Sequence, residues 1–468
     1  MKFWLHSLNR REKWCMALTA LALLWAWTFL PSGSVIHRDA LQNLTAAYNL
    51  SHYGVMSLDQ TGTTLEPTLE REPVPIFALA IHMKALGPWI GDKKIEALQE
   101  GGDARLLKYS NLFWGALLVV IVVVSTVQFT RSIIAICAAI WLSQIGIGAH
   151  YDTLLSELPA ATLLTLASFL LLRALQTQRR RLFVFSGLCF GLLCLTKASF
   201  LYVSAVFIFL LLVFSFWRST RSKPVARTSD VLMLAMCIAV CVLPWMTRNY
   251  VELNTFKVSG RGGVVLYTRA LKDLMTWEEY RGSFYAYAPV GVQQVIGLMS
   301  GYSKNDLAEG GSLERLNRRR NEADKFAAAA GEPERALSFY PKAMGTEQAL
   351  INRYAGEPNA KDLVDAELKQ QALEIIKEHP WRHAALILPF LWRGAPYVTP
   401  ILLAFLFVFG FRKKDPAMVW YVMPALGLIG FYAVLTHFIS RYADPIVPLA
   451  AICFIALLYR NKRTPDVR

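Results

Sequence analysis

Charge is scarce in this chain. Asp, Glu, Lys and Arg make up 18% of 468 residues against 54% hydrophobic ones, and the mean hydropathy is +0.35. Those values exclude a single soluble domain. Polar loops lack cysteine altogether: Cys15, Cys137, Cys189, Cys194, Cys237, Cys241 and Cys453 all lie in apolar segments. That excludes a disulfide framework and a thiolate metal site. The eight histidines show no HExxH or other ligand spacing. No glycine fingerprint for a nucleotide opens a βαβ unit; GRGGVV at 260–265 does not match GxGxxG and reads as a loop. No A-x-A cleavage site is evident near Pro31, so the apolar run Cys15–Leu30 reads as an uncleaved span.

What is present is apolar sequence in runs long enough to cross a bilayer, which takes about 20 helical residues. The reading is an all-α polytopic membrane protein with about ten spans. They are Cys15–Leu30, Ser110–Thr130, Ser132–Ala149, Leu155–Leu175, Leu182–Leu195, Phe200–Trp217, Val231–Trp245, Tyr397–Phe411, Ala417–Phe438 and Ile446–Tyr459. The formal net charge of +15 first suggests nucleic acid, but its placement argues against that partner. With the N-terminus inside, every short basic loop falls on the cytoplasmic side: Arg131; Arg173 and Arg179 to Arg181; Arg218, Arg221, Lys223 and Arg227; Arg412 to Lys414; Arg460, Lys462 and Arg463.

Three modules follow. Residues 1–246 form an N-terminal transmembrane module whose first outer loop is 31–108. Residues 247–384 form a mostly helical segment on that same side, and 385–468 a C-terminal transmembrane module. In the first loop, Asp39 to Tyr53 carries apolar residues at helical spacing and reads as a helix along the interface. Pro75–Leu86 is too short to span and reads as a second juxtamembrane or re-entrant helix. The sequons at Asn43 and Asn49 are common chance matches.

Polar groups gather at the non-cytoplasmic rim: Asp39; His150, Tyr151, Asp152 and Glu157; Lys197; Arg248, Asn249 and Tyr250; His437, Arg441, Tyr442 and Asp444. The bland explanation for any basic one is snorkelling from a helix end. For Asp39 it is capping of the helix that follows. The positive-inside rule, however, predicts few basic residues here, and ionisable groups at membrane depth are often functional. Lys197, inside GLLCLTKASFLYVSAV, is hard to place without an anion. A cationic set of Lys197, Arg248 and Arg441 suits a phosphate whose tail stays in the bilayer. The Asp39 carboxylate suits deprotonation of an acceptor hydroxyl. Together they describe displacement at a sugar carbon, with charge on the departing phosphate stabilised by the cations. In-line attack would invert the anomeric centre.

Six elements in order carry a family resemblance. RDALQNLTAAYNLSHYG gives an acid followed by A-x-N-L…G. REPVPIFALAIHMKALG is similar to R-x-P-x-Y-P-x-x-L-A with its glycine. LLSELPAATLLTLASFLLLRAL is similar to an S/T-E-x-L span, and FSGLCFGLLCLTKASF to G-x-x-x-G-x-x-x-L-T-R. LPWMTRNYVELNTFKVSGRGGVVLY is similar to P-W-x-x-R-N-Y…G-x-x-L-Y, and SRYADPIVPLAAI to R-Y-x-x-P-x-x-P. The chain thus resembles the membrane glycosyltransferases of the GT-C superfamily, in the branch of bacterial protein O-mannosyltransferases and aminoarabinose transferases.

The resemblance implies a polyprenyl-phosphate-linked sugar donor, a glycan, lipid or protein acceptor met from the periplasm, inversion, and a bacterial inner-membrane location. By position it implies Asp39 as catalytic base and Glu157 as the acid opening a core span. Lys197 and Arg441, with Tyr442 beside it and Arg248, would stand at the donor phosphate. Arg71 and Glu72 would fix the first loop or touch substrate. Ala40 stands where many relatives carry a second acid, which removes one metal ligand; no catalytic metal is expected. Two other readings stay open. One is an O-antigen-type polymerase or ligase with a lipid-diphosphate donor. The other is a lipid-linked sugar transporter or flippase, although no internal pseudo-repeat is visible. A non-catalytic scaffold is the remaining possibility.

Overall fold

The computed structural model describes residues 9–61, 65–91, 93–219, 225–260, 262–316, 322–357 and 360–459. Among these the chain is helical, with no strand. Helices stand at all ten expected places. Seven are long and apolar enough to cross a membrane, and an eighth is counted if a bent pair is one span. The differences have local causes. Helix α1 (Arg10–Phe29) opens on four charged residues, Arg10 to Lys13. In the fifth place stands Arg180–Cys194, with only 15 residues. The expected span Tyr397–Phe411 is the second arm of a pair, Pro380–Gly394 and Val398–Arg412, bent by 108°. The basic residues at 221, 223 and 460–463 lie outside the described residues.

The chain divides into two compact units. The first is Met1–Val258 with Pro400–Leu428 and Asp444–Arg468; the second is Ser259–Thr399 with Ile429–Ala443.

In the first unit, α2 (Asp39–Tyr53) and α3 (Pro73–Ala85) are the two juxtamembrane helices expected in the first loop. They share an apolar core in which Leu44, Ala47, Ile76, Leu79 and Met83 are buried with Leu98 and Leu107. The spans follow: α4 (Ser110–Thr126), α5 (Ile133–Ile147), α6 (Glu157–Thr177), α7 (Arg180–Cys194), α8 (Ser199–Ser219) and α9 (Thr228–Leu253). Of the seven, α6 is the most enclosed by protein, with 78% of its apolar window buried; it is the central span. Small residues let its neighbours close in. On α7 a side chain at Gly187 would meet the Leu234 carbonyl of α9 at 2.7 Å, and one at Gly191 would meet Cys241 Cβ at 2.6 Å. That is how small-xxx-small patterns bring helix backbones together.

Side-chain contacts mark the two ends of this bundle. Arg173 bonds Gln128 at 2.9 Å, Arg180 pairs with buried Asp230 at 3.1 Å, and Gln178 bonds the Val225 carbonyl. The first loop, Glu157 and Lys197 lie at the opposite end. Both sequon asparagines are buried and used by the fold. Asn43 donates to the Leu154 carbonyl at 2.7 Å, and Asn49 to the carbonyls of Ser57 and Asp59. Neither amide is available to a glycan in the folded chain.

In the second unit, α10 (Gly262–Ala270) corrects the loop expected at 260–265. Its glycines serve packing: a side chain at Gly263 would meet the Asp365 carbonyl at 2.4 Å, and the Gly263 N–H donates to Asp365 Oδ1 at 2.5 Å. Among the helices that follow are α11 (Trp277–Ala286), α12 (Val290–Ser300), α13 (Ala360–Glu378), α14 (Pro380–Ala385) and α15 (Ile387–Gly394), with two more, Glu322–Ala330 and Phe339–Arg353, between α12 and α13. A buried trio ties them: Arg269 Nη1 to Asp273 Oδ1 at 2.8 Å, and Asp273 Oδ2 to His383 Nδ1 at 2.7 Å. Burial pulls the Arg269 guanidinium below its ordinary value, opposed by Asp273. The remaining spans, α16 (Val398–Leu406), α17 (Pro416–Leu435) and α18 (Val447–Tyr459), belong mostly to the first unit.

Candidate active site

Asp39 is the first helical residue of α2, and Arg38 stands at the cap position with no side-chain cap bond. The capping role open in the sequence is therefore not taken by Asp39. As an acid in the first turn it faces the positive end of the helix dipole. Arg38 has φ 54° and ψ −128°, a strained backbone for a residue with a side chain; such strain costs about 1–3 kcal/mol and concentrates at functional sites. Arg38→Gly is expected to be more stable than Arg38→Ala by about 1 kcal/mol, read from thermal unfolding in detergent. Equal stability would mean that the strain is not present in solution.

The Asp39 carboxylate meets Arg71 Nη2 at 2.6 Å. Arg71 is held from the other side by Gln42, whose Oε1 accepts from Nε at 2.9 Å and also from Nη2. Gln42 was not singled out in the sequence; the available signal was its position one turn after Asp39 on the same helix face. Arg71 is mostly buried, whereas the Asp39 side chain is 35% exposed. The carboxylate is thus oriented yet reachable by a hydroxyl.

Glu72, next along the chain, accepts the backbone N–H of Ala198 at 3.3 Å. Beside it, the Val74 N–H donates to the Leu195 carbonyl at 3.2 Å. The start of α3 is thereby fastened to the turn between α7 and α8 that carries Lys197. Lys197 is buried, and its Nζ lies 3.4 Å from Glu157 Oε1 at the start of α6. The anion that the lysine requires is this carboxylate. Asp39, Arg71, Glu72, Lys197 and Glu157 therefore form one connected polar path at one end of the first unit.

Arg248 lies near that path through an aromatic bridge. Its guanidinium sits 5.1 Å from the Trp245 ring, and Trp245 meets Phe77 of α3 edge-on at 6.1 Å. Arg248 also bonds Asn249 and approaches Glu252. Tyr250, singled out in the sequence, is exposed. Arg441 and Tyr442 belong to the second unit, in the turn Ser440–Ile446. There the Tyr442 ring packs on Tyr432 at 5.0 Å and on His437 at 5.5 Å.

Two further groups support the loop from the side. Lys108 is almost fully buried, and its Nζ reaches the carbonyls of Ser32 and Ser34, Ser34 Oγ and Asp152 Oδ1 within 2.7–3.1 Å. It clamps the chain entering α2 to the turn after α5. Lys108→Met is expected to cost about 3 kcal/mol, because several bonds to a buried charged group are lost together; chemical denaturation checks it. Less than about 1 kcal/mol would show the clamp to be dispensable. His150 Nε2 meets Asp444 Oδ2 at 2.7 Å, and Asn111 binds the carbonyls of His150, Tyr151 and Thr153. Among the described residues no three His, Cys, Asp or Glu side chains are grouped to hold a metal ion.

The chemistry these groups offer is a reachable, oriented carboxylate and a buried lysine on one connected surface. No sequence-family profile matches the chain, and no curated protein sequence matches it. Among solved structures it is similar to the crystal structure of ArnT from Cupriavidus metallidurans in the apo state. The identity is 12% and the TM-score 0.38, over 96% of this chain and 77% of that one.

Proposed function

We propose that the chain is an inverting glycosyltransferase that moves a sugar from a polyprenyl-phosphate donor to a glycan, lipid or protein acceptor on the periplasmic side of a bacterial inner membrane. One observation carries the reading. Two ionic pairs, Asp39–Arg71 and Glu157–Lys197, are joined through Glu72 and the Ala198 N–H. Such a path unites a base with a cation, which the displacement requires.

Asp39 takes the proton of the acceptor hydroxyl. The hydroxyl oxygen forms a bond to the anomeric carbon from the face opposite the phosphate. The bond from that carbon to the phosphate oxygen breaks, and its electron pair leaves with the polyprenyl phosphate. Lys197 and Arg248 offset the charge that builds there. Glu157 keeps Lys197 oriented until the donor enters. Arg71, itself held by Gln42, keeps the Asp39 carboxylate aimed. Ala40, where relatives carry a second acid, favours a reaction without metal, and turnover is expected to survive EDTA unchanged; loss restored by a divalent cation would contradict that.

The reading is tested with purified protein in proteoliposomes, a cell-envelope extract as acceptor source, and radiolabelled sugars on polyprenyl monophosphate or diphosphate. Turnover of the monophosphate donor is expected, at least a hundredfold faster than of the diphosphate. Preference for the diphosphate would indicate a polymerase or ligase. Labelled lipid that crosses the bilayer without losing its sugar would indicate a flippase.

A further inference from the structure

The second unit carries an apolar helix with no place in the transfer chemistry. On α12, Leu298 is 89% exposed, Met299 84% and Val295 55%. They fall at i, i+3 and i+4, so they share one face of the helix. Residues 286–303 contain no Asp, Glu, Lys, Arg or His, whereas 304–335 are dense with charge. An uncharged helix with such a face is unsuited to water, and exposed apolar patches mark interaction surfaces.

Its neighbours indicate what covers it. Helix α11 packs on both α12 and α15. Tyr280 of α11 donates to the Ala385 carbonyl of α14 at 3.3 Å. Trp392 of α15 donates to the Phe284 carbonyl of α11 at 2.9 Å. Helices α14 and α15 form the first arm of the bent apolar pair and run on into α16, and they expose Trp381 and Leu388. At the start of α11, exposed Trp277 stacks on Tyr280, centroids 5.2 Å apart. Tryptophan and tyrosine favour the bilayer interface.

From this continuity we propose that α12 lies in the interfacial layer of the bilayer, with Val295, Leu298 and Met299 among the upper acyl chains. The occupant of the face is lipid, and the helix anchors the second unit at the membrane surface as amphipathic helices do. The inference does not depend on the transfer reaction.

The wild-type protein serves as its own probe. In proteoliposomes containing a phospholipid with a diazirine high in its acyl chain, photolysis is expected to label residues 295–299. Hydroxyl-radical footprinting is expected to oxidise Met299 at least tenfold more slowly than in a free peptide of residues 286–303. Phe326, exposed on the charged part of this unit, should react readily in the same sample. Oxidation of Met299 at the peptide rate, with or without lipid adducts, overturns the proposal. So does protection of Met299 with no lipid adduct, which would mean that protein covers the face.

Discussion

Asp39→Asn is expected to abolish sugar transfer while leaving the fold intact. Asparagine keeps the shape of the side chain and an oxygen for Arg71, but it takes up no proton at neutral pH. General base catalysis contributes about 10²–10⁴-fold, so turnover should fall by about a thousandfold. The stability cost should be small, about 1 kcal/mol, because the pair with Arg71 is partly exposed and such pairs contribute little. The alternative role for Asp39, capping α2, predicts no change in either property, because asparagine caps a helix as well as aspartate does. The position of Arg38 at the cap already argues against it. Radiolabel transfer and thermal unfolding on the same preparation check both halves. A variant that unfolds early and transfers normally when folded would assign Asp39 to structure.

The second large effect concerns Lys197 and Glu157. Both side chains are at least nine-tenths buried. Breaking such a pair from one side leaves an uncompensated charge and costs about 3–5 kcal/mol, whereas replacing both partners by apolar groups is often neutral. Lys197→Met and Glu157→Leu alone should each be strongly destabilised. The double variant Lys197→Met with Glu157→Leu should recover to within about 1 kcal/mol of wild type. Its transfer activity should nevertheless stay lost, because the departing phosphate then lacks the Lys197 ammonium. That split between restored stability and absent turnover distinguishes a phosphate-binding lysine from a structural one. A double variant that is both stable and active would place the donor phosphate elsewhere.

Much of this arrangement is legible in the sequence because it rests on local rules. Apolar spacing marks α2, and a proline-led apolar run too short to span marks α3. Lys197 stands out because a lysine inside an apolar run demands an anion; the sequence also supplies Glu157 at the head of a span, but not that the two meet. What escapes the sequence depends on contacts between distant residues. The glycines at 262–263 read as a loop, yet they open a helix, and Gly263 is glycine because Asp365 approaches too closely for a side chain there. Arg382, His383 and Arg393 interrupt the stretch 380–394, which hid an apolar arm whose charges are partly absorbed within the unit: Arg269 bonds the His383 carbonyl, and Arg393 bonds that of His437. The clamp by Lys108 was invisible for the same reason, since its partners lie 44 to 76 residues away.

The most direct test of the central claim follows the anomeric carbon itself. A polyprenyl-phosphate sugar labelled with carbon-13 at that position is turned over by wild-type proteoliposomes with the envelope extract, and the configuration of the labelled carbon is read by NMR in the product. A direct displacement assisted by Asp39 predicts the configuration opposite to that of the donor. Retention of the donor configuration would contradict it, and would mean that a protein group forms a covalent glycosyl intermediate before the acceptor attacks.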